Sequence, residues 1–176
     1  VHFILGNHEI MNMNGDLRYL HGKYMENAGL LKEDYLFLYS EHSELGRWLR
    51  TKNIVEKIGN ILYAHGGISA AVNSLDIPVS KINKLSRPYY PDTTYKYNDE
   101  NVGVLYSDWG PFWYRGYYGG SSKATSQQID STLSIYKVKH IATDVHHAKG
   151  HSEGLLIEGG KFYRATAKGE KFLILE

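Results

Sequence analysis

Two short turns in this sequence carry the residue types of a metal and phosphate site. Gly6-Asn7-His8-Glu9 follows directly on the run Val1-His2-Phe3-Ile4-Leu5, and His65-Gly66-Gly67 follows Ile61-Leu62-Tyr63-Ala64. In both, a strand-like run ends in glycines and delivers a polar side chain at its tip. Asn7 offers an amide oxygen and His65 an imidazole nitrogen, a donor pair suited to Mn, Fe or Zn rather than to soft metals. His8 follows Asn7 at the turn, so its side chain points elsewhere. A histidine beside a metal but not on it is well placed to protonate a leaving oxygen as a general acid. Gly6, Gly66 and Gly67 have no side chains, which lets substrate approach the backbone closely. Taken singly, each string reads as ordinary turn chemistry. Two of them, each at the end of an apolar strand, point to a shared site.

The elements that must position these turns form an alternating pattern. Residues 1–5 read as a short buried strand, with a helix starting near residue 8 and running to 14. A helical pattern covers 18–31, broken by Gly22 and Gly29. Ser43 caps a helix that places Leu45, Trp48 and Leu49 on one face. Runs 53–57 and 60–64 make a hairpin around Gly59-Asn60. A short helix fits 78–84, and 86–101 reads as a surface loop rich in Pro, Tyr, Asp and Asn. Thr125-Ser126-Gln127-Gln128 has the form of a capping box, followed by Ile129, Thr132, Leu133 and Tyr136 on one helical face. Strands then fit 138–142, 154–158, 161–165 and 171–175. Helices interspersed with strands, followed by a strand-dense tail, argue one layered α/β domain over residues 1–176.

Composition narrows the function classes. With 20 Lys+Arg against 19 Asp+Glu, the net charge is +1, and no global field draws the protein to nucleic acid. There is no cysteine, which excludes disulfides and thiolate zinc sites. No stretch approaches the roughly 20 apolar residues needed to span a bilayer.

The two turns resemble the G-N-H-E and H-G-G signatures of the calcineurin-like metallophosphoesterases. Asn12-Met13-Asn14-Gly15-Asp16-Leu17-Arg18-Tyr19, Glu44-Leu45-Gly46-Arg47-Trp48-Leu49-Arg50 and Gly110-Pro111-Phe112-Trp113-Tyr114-Arg115-Gly116-Tyr117 are similar to the bacterial Shewanella-like protein phosphatases within that family. The resemblance runs over nearly the whole chain. It implies a layered α/β/β/α metallophosphatase sandwich of mixed sheets that hydrolyses phosphomonoesters, including phosphoproteins. It also implies two divalent metal ions (Mn, Fe or Zn) with an activated water between them. By match, Asn7 and His65 are metal ligands, His8 is the general acid, and Arg115 clamps phosphate with its planar fork. Arg18 suits a surface ion pair better than a phosphate contact.

The sequence departs from the family pattern in two places. The D-x-H and G-D-x-x-D-R-G motifs, which precede G-N-H-E in the family, are absent, so the resemblance implies a domain incomplete at its N-terminal side. Gly15-Asp16-Leu17-Arg18 lacks a second aspartate and follows G-N-H-E, so it cannot replace them. The later G-H-T motif is also missing: Tyr136–Ile141 matches the approach to it, and Ala142-Thr143-Asp144-Val145-His146-His147 resembles the family's next strand. Gly150-His151-Ser152 imitates the motif in letters only. His146, His147 and His151 have spacings that could hold a metal, although a solvated turn suits them better. Asp144 fits a structural acceptor. The alternative reading is a non-catalytic phosphate- or metal-binding remnant that needs a further N-terminal segment, since two protein ligands cannot hold a binuclear centre.

Overall fold

The computed structural model describes residues 2–118, 123–145, 153–158, 161–166 and 171–175. Their helices are α1 (Asn7–Asn14), α2 (Gly22–Leu30), α3 (Tyr35–Tyr39), α4 (Glu44–Arg50), α5 (Ala70–Asn73), α6 (Val79–Ser86), α7 (Glu100–Leu105) and α8 (Ser126–Tyr136). The strands are β1 (Val55–Ile58), β2 (Ile61–Ala64), β3 (His140–Val145), β4 (Glu153–Glu158), β5 (Lys161–Thr166) and β6 (Lys171–Leu175). The layered α/β architecture expected from the sequence is present. All six described strands belong to one mixed sheet in the order β1-β2-β3-β4-β5-β6.

The sheet's one parallel step decides where the site lies. β2 and β3 run side by side in the same direction, Leu62 opposite Ile141, while every other named pair is antiparallel. A parallel pair needs a long crossover, and residues 65–139 supply it with α5 to α8. His65 therefore stands at the carboxyl end of β2, where the crossover begins. Leu62, Ala64, Ile68, Val72 and Ile82 from this stretch are buried in the main core. A second core joins Ile129 of α8 to Ile141 and Ile157 of the sheet, under Tyr114 and Tyr117.

Local chemistry sets the helix starts. Ser43, Ser69 and Thr125 accept hydrogen bonds from the backbone N–H of Gly46, Val72 and Gln128, at 2.8, 3.2 and 3.2 Å. The pattern over 18–31 becomes a helix only from Gly22, because His21 takes the cap position and accepts from Lys23 N–H. In α4 Leu49 is buried, but Leu45 and Trp48 are each 42% exposed. The packing face runs instead through Gly46, whose Cα lies so close to the carbonyl of Ser40 that a Cβ would stand 1.8 Å from its oxygen. Residues 86–101 are not wholly a surface loop. A 3-10 turn at Arg87–Tyr89 sets Tyr90 fully inside the core, its hydroxyl donating to Lys52 O at 2.9 Å.

The expected strand at 1–5 is reduced to one parallel bridge, Ile4 to Asn53, with Leu5 N–H donating to Asn53 O at 2.9 Å. His2 is exposed, Phe3 packs part-buried against the core, and Leu5 is fully buried, so the segment enters the core progressively. Ile141 and Ala142, between the two stretches that flank the missing G-H-T motif, are consecutive residues of strand β3.

Asn83 of α6 holds the stretch against which residues 4–5 rest. Its side-chain oxygen accepts from Ile54 N–H and Val55 N–H at 2.9 and 3.2 Å, and its amide donates to Val55 O at 2.8 Å. All three partners are buried backbone groups with no water to replace them. Asn83→Ala should destabilise the fold by about 2–4 kcal/mol, read from the midpoint of urea unfolding. An unchanged midpoint would refute the clamp.

Candidate active site

Asn7 opens α1, a helix whose first turn is closed by Glu9. The Glu9 carboxylate accepts from Gly6 N–H at 2.8 Å, so this acid serves the turn. Asn7 itself is only 6% exposed, and its side-chain amide has no hydrogen-bond partner among the described residues. It faces a cleft of 1240 Å³ that His8, His65 and Arg115 also line.

Gly6 brings the two distant turns together. A Cβ at this position would lie 2.8 Å from His65 Nδ1 and 3.0 Å from Glu9 Oε2. The imidazole is thus packed on the backbone of the residue before Asn7, and the two donors are neighbours. His8, in contrast, is exposed on the cleft wall, its ring 6.0 Å from that of Tyr19.

Gly66 performs the same service for Arg115. A Cβ there would stand 2.7 Å from Tyr114 O, 2.8 Å from Arg115 Nη1 and 2.9 Å from Pro111 O. Gly66 N–H donates to Pro111 O at 2.6 Å, tying the turn to the Pro111–Arg115 segment. Arg115 Nη1 donates to Tyr114 O at 3.0 Å and to Phe112 O at 3.3 Å. Nε and Nη2 have no partner among the described residues, and this edge of the guanidinium is the one that grips an anion bidentately. Gly67, at φ 124°, is in a region that side chains seldom adopt, and Tyr117 covers it.

A family model for the calcineurin-like phosphoesterases matches residues 1–150 of the 176. The chain belongs to the calcineurin-like phosphoesterase family. Among solved structures, a cold-active protein-tyrosine phosphatase from a psychrophilic Shewanella species is 33% identical, with a TM-score of 0.77. The match covers 100% of this chain and 59% of that one. A point mutant of a cold-active protein tyrosine phosphatase matches at 32% identity and the same TM-score and coverage. No curated protein sequence matches. The chain thus spans little more than half the length of the solved structures it resembles.

The sequence-derived residues Asn7, His8, His65 and Arg115 all line one cleft. Asn7 and His65 have the donor chemistry for a hard or borderline divalent ion, and the unpartnered Asn7 amide fits such a role. They are two ligands, however, and among the described residues no group of three or more His, Cys, Asp or Glu could hold a metal. Asp16 also lines the cleft, but Arg18 engages both of its oxygens at 2.7–3.0 Å. That guanidinium holds the Asp16 carboxyl below the usual carboxylate range. Arg18 is therefore the surface ion-pair residue that its spacing suggested, although it sits in a turn rather than on a helix. His146, His147 and the Gly150-His151-Ser152 string lie outside the described residues, as does the side chain of Asp144.

The structure adds a residue that sequence reasoning assigned to another task. Gln128 was expected to complete the capping box of α8. Its backbone N–H does meet Thr125, but its side chain crosses to the site: Nε2 donates to Ile68 O and Oε1 accepts from Tyr114 O–H, both at 2.9 Å. It links the H-G-G turn to the segment that carries Arg115, and only tertiary placement reveals this.

Gly66→Ala should lower stability by about 1–3 kcal/mol, because backbone carbonyls crowd the new methyl, and should displace Arg115. Gly103→Ala is the control: nothing lies within 4 Å of a Cβ in α7, and the change should add up to about 1 kcal/mol. Thermal unfolding of both variants checks the pair, and equal behaviour would refute the close approach.

Proposed function

We propose that the protein hydrolyses phosphomonoesters on protein substrates, with phosphotyrosine as the natural ester. The observation that carries this reading is the convergence of Asn7, His65 and the free edge of Arg115 on one cleft, through backbone contacts at Gly6 and Gly66. The walls favour an aryl ester: Tyr19, Tyr24, Tyr35, Tyr39, Tyr63 and Trp113 line the same cleft. Aromatic faces stack on an aryl leaving group and gain little from an alkyl one. The names of the matched solved structures, protein tyrosine phosphatases, support the same substrate.

Each residue then has a task. Arg115 binds two phosphoryl oxygens through Nε and Nη2 and orients phosphorus toward the Asn7–His65 side. Asn7 and His65 hold a divalent ion. Such ions, in the binuclear arrangement that the family implies, supply a nucleophilic water at neutral pH and neutralise phosphoryl charge. His8 stands at the exposed side and holds the proton that the departing tyrosyl oxygen takes up. Mn is the ion proposed for assays, and the two donors accept Fe or Zn equally well.

A second reading rests on the ligand count. With two donors in the cleft and 59% of the matched length spanned, these residues bind phosphate or one metal weakly until further ligands join them. The two readings separate by experiment. A protein as long as the matched structures should cleave an aryl phosphate with Mn, while the 176 residues alone should show no turnover. In the longer protein, Asn7→Ala and His65→Ala should abolish activity together with bound metal, measured by elemental analysis. His8→Ala should lower kcat by ~10²–10⁴-fold with metal retained. Arg115→Ala should cut kcat/KM by ~10²-fold or more, and Arg115→Lys should restore little of it because the fork is lost. Unchanged turnover in the Asn7 or His65 variant would remove the site assignment.

A further inference from the structure

A second recess of 530 Å³ adjoins the cleft, and the two share Met11, Asp16, Tyr19 and Trp113 as common wall. We propose that this recess is a subsite for a cationic side chain, Arg or Lys, flanking the phosphorylated residue of a peptide substrate. The proposal rests on the phosphoesterase reading for its substrate, but its own evidence is the make-up of the recess.

That make-up is aromatic with one uncommitted negative charge. Tyr97, Tyr106 and Phe112 form a continuous wall, with ring centroids 5.1 Å apart for the first pair and 5.4 Å for the second. The Tyr106 hydroxyl donates to Ser86 O at 2.8 Å, which fixes that ring from behind. Tyr95, 57% exposed, stands at the mouth, where its hydroxyl accepts from Asn14 Nδ2 at 3.2 Å. Three charged residues line the recess, Asp16, Arg18 and Asp108. The first two neutralise each other, as described above. Asp108 is exposed and has no ion-pair partner among the described residues, so its carboxylate is the net charge of the recess.

Aromatic faces with a carboxylate beside them select cations, because the ring quadrupole and the charge act with the same sign. The protein already uses this wall in that way: the Arg18 guanidinium lies 5.8 Å from the Tyr19 ring centroid. An acidic side chain would meet Asp108 and the negative ring faces, and is disfavoured. An apolar one would pack on the rings and leave Asp108 idle. The reach is suitable, since neighbouring residues of a peptide are about 3.8 Å apart. Arg and Lys stems also lie along apolar surface while the head goes further. General electrostatics gives no such preference, because the chain's net charge is +1.

The test is fluorescence polarisation with the 176-residue chain and short labelled peptides. Each peptide carries tyrosine or phosphotyrosine, flanked by Arg, Ala, Leu or Glu. The Arg peptides should bind about fivefold more tightly than the Ala peptides, with Glu weakest. In Asp108→Asn that advantage should fall to about twofold or less, while the advantage of phosphotyrosine over tyrosine should persist. If the Arg advantage appears but phosphate adds nothing, the phosphate contact proposed for Arg115 in these 176 residues fails and the subsite stands. Equal binding of Arg and Ala peptides would overturn the subsite, and so would a preference for Leu. An Arg advantage untouched by Asp108→Asn, or no binding of any peptide, would overturn it too.

Discussion

The site depends on one close approach, that of the Gly6 backbone to the His65 ring. A Cβ at Gly6 would stand 2.8 Å from Nδ1, a distance that real Cβ atoms do not tolerate. The absence of one side chain therefore lets two turns, 59 positions apart, meet on one cleft. Gly66 repeats the device on the opposite side of the same histidine turn, where Pro111, Tyr114 and Arg115 press in. The imidazole is held between two backbone contacts, and β2, locked between β1 and β3, fixes its base. If either approach is relaxed, Asn7, His65 and Arg115 lose their common reference.

This explains which parts were legible in the sequence. The two turns were readable because their chemistry is local: a glycine, an amide and an imidazole at the tip of an apolar run. The β1–β2 hairpin and the caps at Ser43 and Thr125 were readable for the same reason. What escaped were residues whose role exists only after folding. Gln128 has the letters of a capping box, yet its side chain serves Ile68 and Tyr114. Asn83 looks like any polar helix residue until β1 lies beside it. Tyr90 sits in a polar, proline-rich stretch and is nonetheless fully buried. The N-terminal run shows the opposite error. Of the five strand-like residues, the four that are described form one bridge, Ile4 to Asn53.

The electrostatics of the cleft are economical. Of its acids, Glu9 closes the turn at Gly6 and Asp16 is engaged by Arg18. Asp16 is therefore neutralised, whereas Glu9, bound only to a backbone N–H, keeps its negative charge. The guanidinium is anchored through Nη1 on two backbone carbonyls, neutral acceptors that hold its position without cancelling its charge. An anion meeting its other edge gains a fixed, charged fork. In the proposed site this fork is the element that would draw in a phosphate dianion.

Rigidity is distributed unevenly around that phosphate position, and the unevenness has a chemical logic. The His65 ring packs on the Gly6 backbone and Arg115 is held by two backbone carbonyls, so these two groups of the proposed phosphate site have fixed positions. On the leaving-group side, His8 and Tyr19 are exposed, and Tyr24 of α2 is 48% exposed. Exposed aromatic rings of this kind form an open wall that suits the aryl ester of the proposed substrate. A phosphoryl group has one shape in every substrate, whereas the protein segment that carries it does not. A firm floor beside an open wall therefore fits the proposed phosphatase, which would hold the phosphoryl group strictly and the protein segment around it loosely.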